Sequence, residues 1–370
     1  MDNFARTPLP RSTPAQEPPS IGKARVKVLG LGGGGSNAVN RMIELGLSGV
    51  EFIAANTDRQ ALSSSLAPTR LVLGPRVTRG LGAGGNPKTG AAAAMESSRE
   101  LAAALAGSDM VFITAGMGGG TGTGAAPVAA EIARELGAVV IAVVTLPFTF
   151  EMTKRSHNAL DGVRLLQPHT HTLITVPNDR LMQVAPRDIS LEIAFRLADD
   201  VLRQGVQAVS ELITHAGLIN VDFAHVRSLM QRGGGALMAV GVAEGPDKSR
   251  DAIHQALHHP LLEVDTLEYA NGALVHFTGG EDLTLFEVSE AVDELRASLS
   301  PDTDIILGAT TEPSMEGRTQ VILIVTGVGG RPVAPALEGA PLTASLAAAP
   351  AMDDDLDLPT FLRRRVAVGS

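Results

Sequence analysis

The sequence predicts an α/β fold: a doubly wound, mostly parallel sheet, then a long central helix and a smaller α+β C-terminal domain. Short apolar runs at 25–29, 50–56, 110–114, 138–145 and 172–176 alternate with stretches of helical period, as in βα units whose strands are buried on both faces. Glycine clusters follow two of these runs, at 30–35 and 118–124, and a third at 80–85 precedes a helical stretch, close to where such a sheet binds ligands. From Ser190, suited to cap a helix, the residues Ala194, Leu197, Val201, Ala208, Val209 and Leu212 recur at helical spacing to about Ile213. A helix of about 24 residues rises roughly 35 Å, the depth of a domain.

Of the three clusters, Gly118-Gly119-Gly120-Thr121-Gly122-Thr123-Gly124 is the most informative. It lies between the strand Met110–Thr114 and a helix expected over Ala125–Leu136, with Pro127 in the first turn. Free amides and the positive end of a helix dipole then face the loop, and an anion is the natural occupant. Thr121 and Thr123 add hydroxyl donors. The run Gly30-Leu31-Gly32-Gly33-Gly34-Gly35-Ser36-Asn37 follows the first strand and precedes a helix expected from Ala38 to about Leu45. Arg79 to Pro87 is a third loop, before a helix expected from Thr89 to Ala106. Three such loops in one domain converge on a polyanion.

Two other nucleotide motifs fit less well. Gly30, Gly32 and Gly35 satisfy G-x-G-x-x-G, which keeps a dinucleotide-binding enzyme as an alternative. The acid expected after the next strand is replaced by Asn56, with Asp58 in the loop beyond. Lys88-Thr89 fails as a P-loop because Pro87 stands where that motif demands glycine.

Composition narrows the class. A chain of 370 residues with 44% hydrophobic content builds about two cores, and a formal charge of -10 argues against a nucleic-acid binder. The absence of cysteine excludes a disulfide framework, a thiolate metal site and a cysteine nucleophile. No apolar run reaches the roughly 18 residues of a membrane span, which points to a cytoplasmic protein.

The domains expected are a proline-rich disordered arm at 1–22, a ligand-binding domain at 23–189, the central helix at 190–213 and the α+β domain at 214–330. The first domain continues with a helix expected over Glu151–Leu166. The last has strands near Ala236–Val242, Ala273–Thr278, Asp304–Ala309 and Gln320–Thr326, and helices near Arg250–His258 and Leu283–Leu299. An Ala/Pro/Gly-rich linker at 331–352 leads to an end segment at 353–370, whose Leu358, Phe361 and Leu362 suit docking on a partner.

Taken together, Gly32 to Asn37, Ala55-Asn56-Thr57-Asp58, Gly80 to Pro87, Gly118 to Gly124 and Asn220-Val221-Asp222-Phe223-Ala224 resemble the motifs of FtsZ, the tubulin-like division GTPase family of bacteria. The resemblance implies a GTP/GDP site with Mg²⁺ or K⁺, self-association head to tail into filaments, a place in the cytoplasm at the division site, and division proteins or membrane tethers bound through the 353–365 tail. It implies that Gly118, Gly119, Gly120, Thr121, Gly122, Thr123 and Gly124 cradle the phosphates with Gly33, Gly34 and Asn37. It further implies that Asn56, Asp58, Ala83, Gly84 and Gly85 lie around them, that Glu151 and Arg155 hold the ribose side, and that Asn178, Phe195, Asp199 and Asp200 form the base pocket. Guanine presents two adjacent N–H donors that one carboxylate accepts together, and Asp200 is expected to be that carboxylate.

The family supplies two acids from the loop at Asn220 to His225 of one subunit to the nucleotide of the next. Asp222 is present, but His225 stands at the second position, and an imidazole brings no negative charge for a cation. The expectation is a catalytic set of Asp222, His225 and Asn220 with slow or absent hydrolysis in a homopolymer. The chain is then either a polymerising GTPase or a paralogue that co-assembles with a second FtsZ homologue.

Overall fold

The computed structural model describes residues 24–183, 188–214, 219, 221–262, 267 and 270–328. The expected arm, linker and end segment, and Asn220, lie outside these residues.

Parallel strands β1 (Val26–Leu31), β2 (Val50–Asn56), β3 (Thr69–Val72), β4 (Met110–Gly116), β5 (Val139–Leu146) and β6 (Thr172–Pro177) form one half of a ten-stranded sheet ordered β3-β2-β1-β4-β5-β6-β7-β10-β8-β9. β1, β4 and β5 are almost wholly buried, as strands covered by helices on both faces must be. One face packs on α1 (Gly32–Glu44) and α8 (Leu191–Thr214), the other on α3 (Pro87–Glu96), α4 (Ser98–Leu105), α5 (Thr121–Glu135) and α6 (Thr153–Leu166). The remaining strands are β7 (Gly234–Glu244), β8 (Gly272–Gly279), β9 (Asp304–Thr311) and β10 (Arg318–Thr326). They carry α10 (Lys248–Leu257) and α11 (Leu285–Ser298), with a core of their own around Phe277, Leu295 and Leu323. The C-terminal strands join the parallel sheet through three pairings, Thr172 to Gly234, Leu173 to Gly235 and Ile174 to Ala236.

The central helix is as expected: α8 has 24 residues, and the Ser190 hydroxyl accepts from Ile193 N at its start. No described helix is long and apolar enough to cross a membrane.

Four expectations need correction. α1 and α5 begin inside the glycine runs, at Gly32 and Thr121, so Pro127 is in the helix interior. The helix expected over 89–106 breaks at Ser97, whose hydroxyl accepts from Gly74 N at 3.0 Å. The one expected over 151–166 breaks at Met152, whose φ of 77° and ψ of 150° no helix allows. The segment after Asn220 is the start of a helix, α9 (Phe223–Arg232), capped by the Asp222 carboxylate accepting from Ala224 N at 3.1 Å. Two short helices, α2 (Arg59–Ser63) and α7 (Asn178–Leu181), and the edge strand β3 escape the sequence reading.

Candidate functional site

The carboxyl ends of β1, β2, β4, β5 and β6 all open on one edge of the sheet, and the glycine loops meet there. The chain entering α2 is stitched to the third loop by Arg59 N donating to Gly80 O at 3.0 Å and Gly82 N to Thr57 O at 3.1 Å. The Thr57 and Thr121 hydroxyls share a hydrogen bond of 2.6 Å, tying the same segment to the start of α5. Asn158 of α6 completes the frame by donating to the carbonyls of Gly118 at 3.3 Å and Gly85 at 3.5 Å. Thr57 enters the sequence reading only as a member of the run Ala55 to Asp58, with no role of its own, and Asn158 not at all, because a lone polar residue mid-helix carries no pattern.

The glycines divide by purpose. A side chain at Gly120 would strike Asn86 N at 2.9 Å, and one at Gly122 would strike Gly116 O at 2.6 Å; these residues let the loops and helices close on one another. Gly33, Gly84, Gly85 and Gly119 have nothing within 4 Å of a would-be Cβ. Gly33 and Gly119 also lack positive φ, so room for something outside the chain is what their small size supplies. Thr123 belongs with the packed set: its buried hydroxyl accepts from Gly118 N at 2.8 Å. Asp58 is likewise engaged, capping α2 by accepting from Gln60 N at 2.8 Å and Ala61 N at 3.1 Å. Asn56 is buried and accepts from Asp58 N, and Ala83 is buried against Gly120.

Beyond the loops, Gly33 and Asn37 lie one turn apart on the exposed side of α1, and Phe195 and Asp199 lie one turn apart on α8. The Phe195 ring meets the edge of Phe148 at 5.5 Å, and Phe148 stacks on Phe150 at 4.9 Å. That aromatic row fixes the start of α8 against the chain after β5. Glu151 closes this chain on itself, accepting from Phe148 N at 3.0 Å and pairing with Arg155, whose side chain is otherwise exposed. Asp179 ties down the same turn by accepting from Thr149 N at 2.9 Å.

Two acceptors near the aromatic row make no hydrogen bond among the described residues. Asn178 Oδ1 is buried without a hydrogen-bond partner. Asp199 makes no hydrogen bond within the described residues, and burial pushes its carboxyl up to about 7, with Arg41 of α1 pulling the other way. Such groups are costly unless a ligand answers them. Asp200, expected to be the base acceptor, is engaged instead with Arg203 Nε at 2.7 Å and Gln204 Nε2 at 2.9 Å on its own helix. One residue is about 100° of helix rotation, enough to take Asp200 off the face that Phe195 and Asp199 share. A lone acceptor pair matched to two adjacent N–H groups fits guanine, and the open glycines fit a phosphate chain.

Asp222 and His225 are elsewhere. Both are exposed and line a cavity of about 560 Å³ with Ser228, Arg232 and Asp304. Arg232 donates to Asp304 at 3.0 Å, and the next residues, from Gly234, pair with Thr172 at the amino end of β6. This cavity is therefore at the opposite edge of the parallel sheet from the glycine loops. Asp199 and Thr214 alone are separated by roughly 20 Å of helix.

Comparison with known proteins agrees with the geometry. The GTPase domain of the tubulin/FtsZ family matches residues 25–186, and the C-terminal domain of the FtsZ family matches residues 234–329. The chain is 47% identical over 309 residues to Cell division protein FtsZ 1 of Methanocaldococcus jannaschii, covering 84% of each protein. A solved FtsZ dimer from M. jannaschii superposes with a TM-score of 0.81 at 46% identity, over 84% of this chain and 90% of that one. CetZ2 from Haloferax volcanii, solved as a GTPγS-bound protofilament, shares the fold at 22% identity, with a TM-score of 0.69 over 82% of this chain and 93% of that one. With both domains matched and nearly half the residues identical across most of its length, the chain belongs to the tubulin/FtsZ family of GTPases.

Proposed function

We propose that this chain is a GTP-dependent polymerising subunit of a division cytoskeleton, in the cytoplasm at the division site, whose nucleotide is hydrolysed between subunits. The observation that carries this reading is the separation of two half-sites. The glycine loops form a cradle at one edge of the sheet, and Asp222 and His225 line an exposed cavity at the other. Stacking one molecule on the next brings the halves together, and a heterologous contact of that kind repeats into an open filament. The M. jannaschii relative, by its name a cell division protein, supports the biological role.

The residues divide the work as follows. Gly33, Gly34, Asn37, Gly84, Gly85 and Gly119 border the phosphates, and the amides at the start of α5 supply donors to them. Asp199 accepts from the guanine N–H groups, Asn178 meets the base beside it, and Phe195 covers its face. Mg²⁺ would be held by phosphate oxygens and water, as is usual where protein carboxylates are few; K⁺ is the alternative at the shared interface.

Hydrolysis requires a water placed in line with the terminal phosphorus and polarised by an incoming negative group. Asp222 brings one carboxylate, and His225 stands at the position of the second. An imidazole can orient a water but does not add charge to hold a cation, so turnover in a homopolymer is slow. Such a subunit suits co-assembly with a second homologue that supplies the missing acid.

Sedimentation and phosphate release with GTP and Mg²⁺ test this on the wild type, His225→Asp and Asp222→Ala. The expected result is that all three pellet, the wild type releases phosphate slowly, His225→Asp is at least about tenfold faster and Asp222→Ala is inactive. Equal, brisk rates for the wild type and His225→Asp would refute the role given to His225. Failure of GTP to drive pelleting at all would refute the polymer.

A further inference from the structure

On the C-terminal strands, α10 carries His254 and, at its C-cap, His258. Both are exposed, one turn apart, with ring centroids 4.3 Å from each other and planes tilted by 33°. Each ring has one nitrogen committed. His254 Nδ1 donates to Glu294 Oε1 on α11 at 3.0 Å, and His258 Nδ1 donates to the His254 carbonyl at 2.9 Å. A carboxylate and a carbonyl only accept, so the neutral form of both rings carries its proton on Nδ1 and leaves the Nε2 lone pair free. That is the arrangement of a metal-binding histidine, in which an outer carboxylate or carbonyl fixes the tautomer and the ring.

The spacing is right as well, since imidazoles at i and i+4 on one helix face can grip a single ion. The surroundings favour positive charge. A recess of about 250 Å³ beside His254 is lined by Asp247, Asp251 and Glu294 against one cation, Arg250, and Arg250 is already held by Glu294 at 3.1 Å. Nitrogen ligands select a borderline transition ion such as Zn²⁺ over Mg²⁺ or Ca²⁺.

We infer that His254 and His258 form a two-ligand site for a divalent transition-metal ion, Zn²⁺ first among them, with Glu294 as its outer carboxylate. No three His, Cys, Asp or Glu side chains among the described residues are placed to hold a metal ion by themselves, so water fills the remaining positions. An ion here links the end of α10 to α11 through Glu294. This site is independent of the GTPase reading.

The test is calorimetric titration of the untagged full chain with ZnCl₂ after chelator treatment, with no nucleotide present to compete for the ion. The wild type is expected to take one equivalent at this site. His254→Ala and His258→Ala should each lose at least tenfold in affinity, and Glu294→Gln about ten- to a hundredfold. His157→Ala is the control: it is also an exposed helical histidine with Nδ1 on an i−4 carbonyl, at 2.9 Å, but it has no paired ring, and it should bind as the wild type does. Melting temperatures in chelator verify that each variant is folded, and zinc should raise that of the wild type alone among the wild type, His254→Ala and His258→Ala. Wild-type affinity in the double variant His254→Ala/His258→Ala, or no zinc uptake by the wild type, overturns the inference.

Discussion

Replacing Asp199 by asparagine should strengthen the empty protein while weakening its hold on guanine nucleotide. Burial moves the Asp199 carboxyl from 3.8 to about 7. At about 1.4 kcal/mol per decade, a rise of about three decades corresponds to roughly 4 kcal/mol for ionising this group in the folded chain. Solvent access to the half-buried side chain lowers that to roughly 2 kcal/mol. Asparagine needs no ionisation, so at pH 8 the variant should gain up to about 2 kcal/mol, seen as a higher melting temperature without nucleotide. Binding goes the other way. A carboxylate accepting two N–H groups is worth about 1.5–3 kcal/mol per bond, and an amide answers one of them at most. The loss of roughly 2–4 kcal/mol is about 30- to 1000-fold in Kd, measurable with a fluorescent GDP analogue. The pH dependence has a definite sign. Between about 4 and 7 the folded chain holds a proton that the unfolded chain has lost, so the stability of the empty protein falls as pH rises through that window. Nucleotide affinity rises over the same range, because the base requires the ionised carboxylate. Asp199→Asn should flatten both trends, and Asp200→Asn, which loses only its bonds to Arg203 and Gln204, should leave affinity nearly unchanged. A variant Asp199→Asn that melts lower yet binds within about threefold of wild type would refute the assignment.

The glycines and the turn at Met152 give further tests. Gly33→Ala meets nothing within 4 Å and adds a better helix former to α1, so it should hold or raise the melting temperature by up to about 1 kcal/mol of stability while cutting nucleotide affinity at least tenfold. Gly124→Ala, which drives its Cβ into the Pro87 carbonyl, should fail to give soluble folded protein; equal behaviour of the two variants in thermal melts would remove the division of the glycines into packing and ligand sets. Met152→Gly should raise the denaturant midpoint by about 1 kcal/mol of stability, because φ of 77° with ψ of 150° is a region that only glycine occupies without strain. A lower midpoint would show that the exposed methionine side chain contributes more than its backbone costs.

Strands and the long helix are legible in the sequence because their signal is burial. β4 and β5 are continuous apolar runs, and α8 places Ala194, Val201, Ala208 and Val209 on one buried stripe. Helix starts are not legible where packing overrides propensity. Glycine is a poor helix former, so the runs at 32–35 and 121–124 read as loops. In the fold, a Cβ at Gly30 would meet the Gly35 carbonyl and one at Gly35 the Thr114 carbonyl, so the first turn of α1 is pressed onto the sheet at a distance only glycine permits. α9 is hidden for a different reason: it is only ten residues long, and its apolar stripe is short, Val226 with Leu229 and Met230 after the Asp222 cap.

The choice between Asp199 and Asp200 marks the limit of reading a site from residue type. Both are carboxylates on one helix, and which faces the base depends on rotation about the helix axis. Spacing from Phe195 holds the missing information, since a residue four positions on shares its face and one five positions on does not. Asp200 has a local cue of its own, with Arg203 and Gln204 at the i+3 and i+4 positions where side chains on a helix meet. A carboxylate with partners in reach on its own helix is satisfied before any ligand arrives. Asp199 also has Arg203 four positions on, but that guanidinium is taken by Asp200 and Gln207, so Asp199 is left poorly ionised, and that unfavourable state is what a guanine base can relieve.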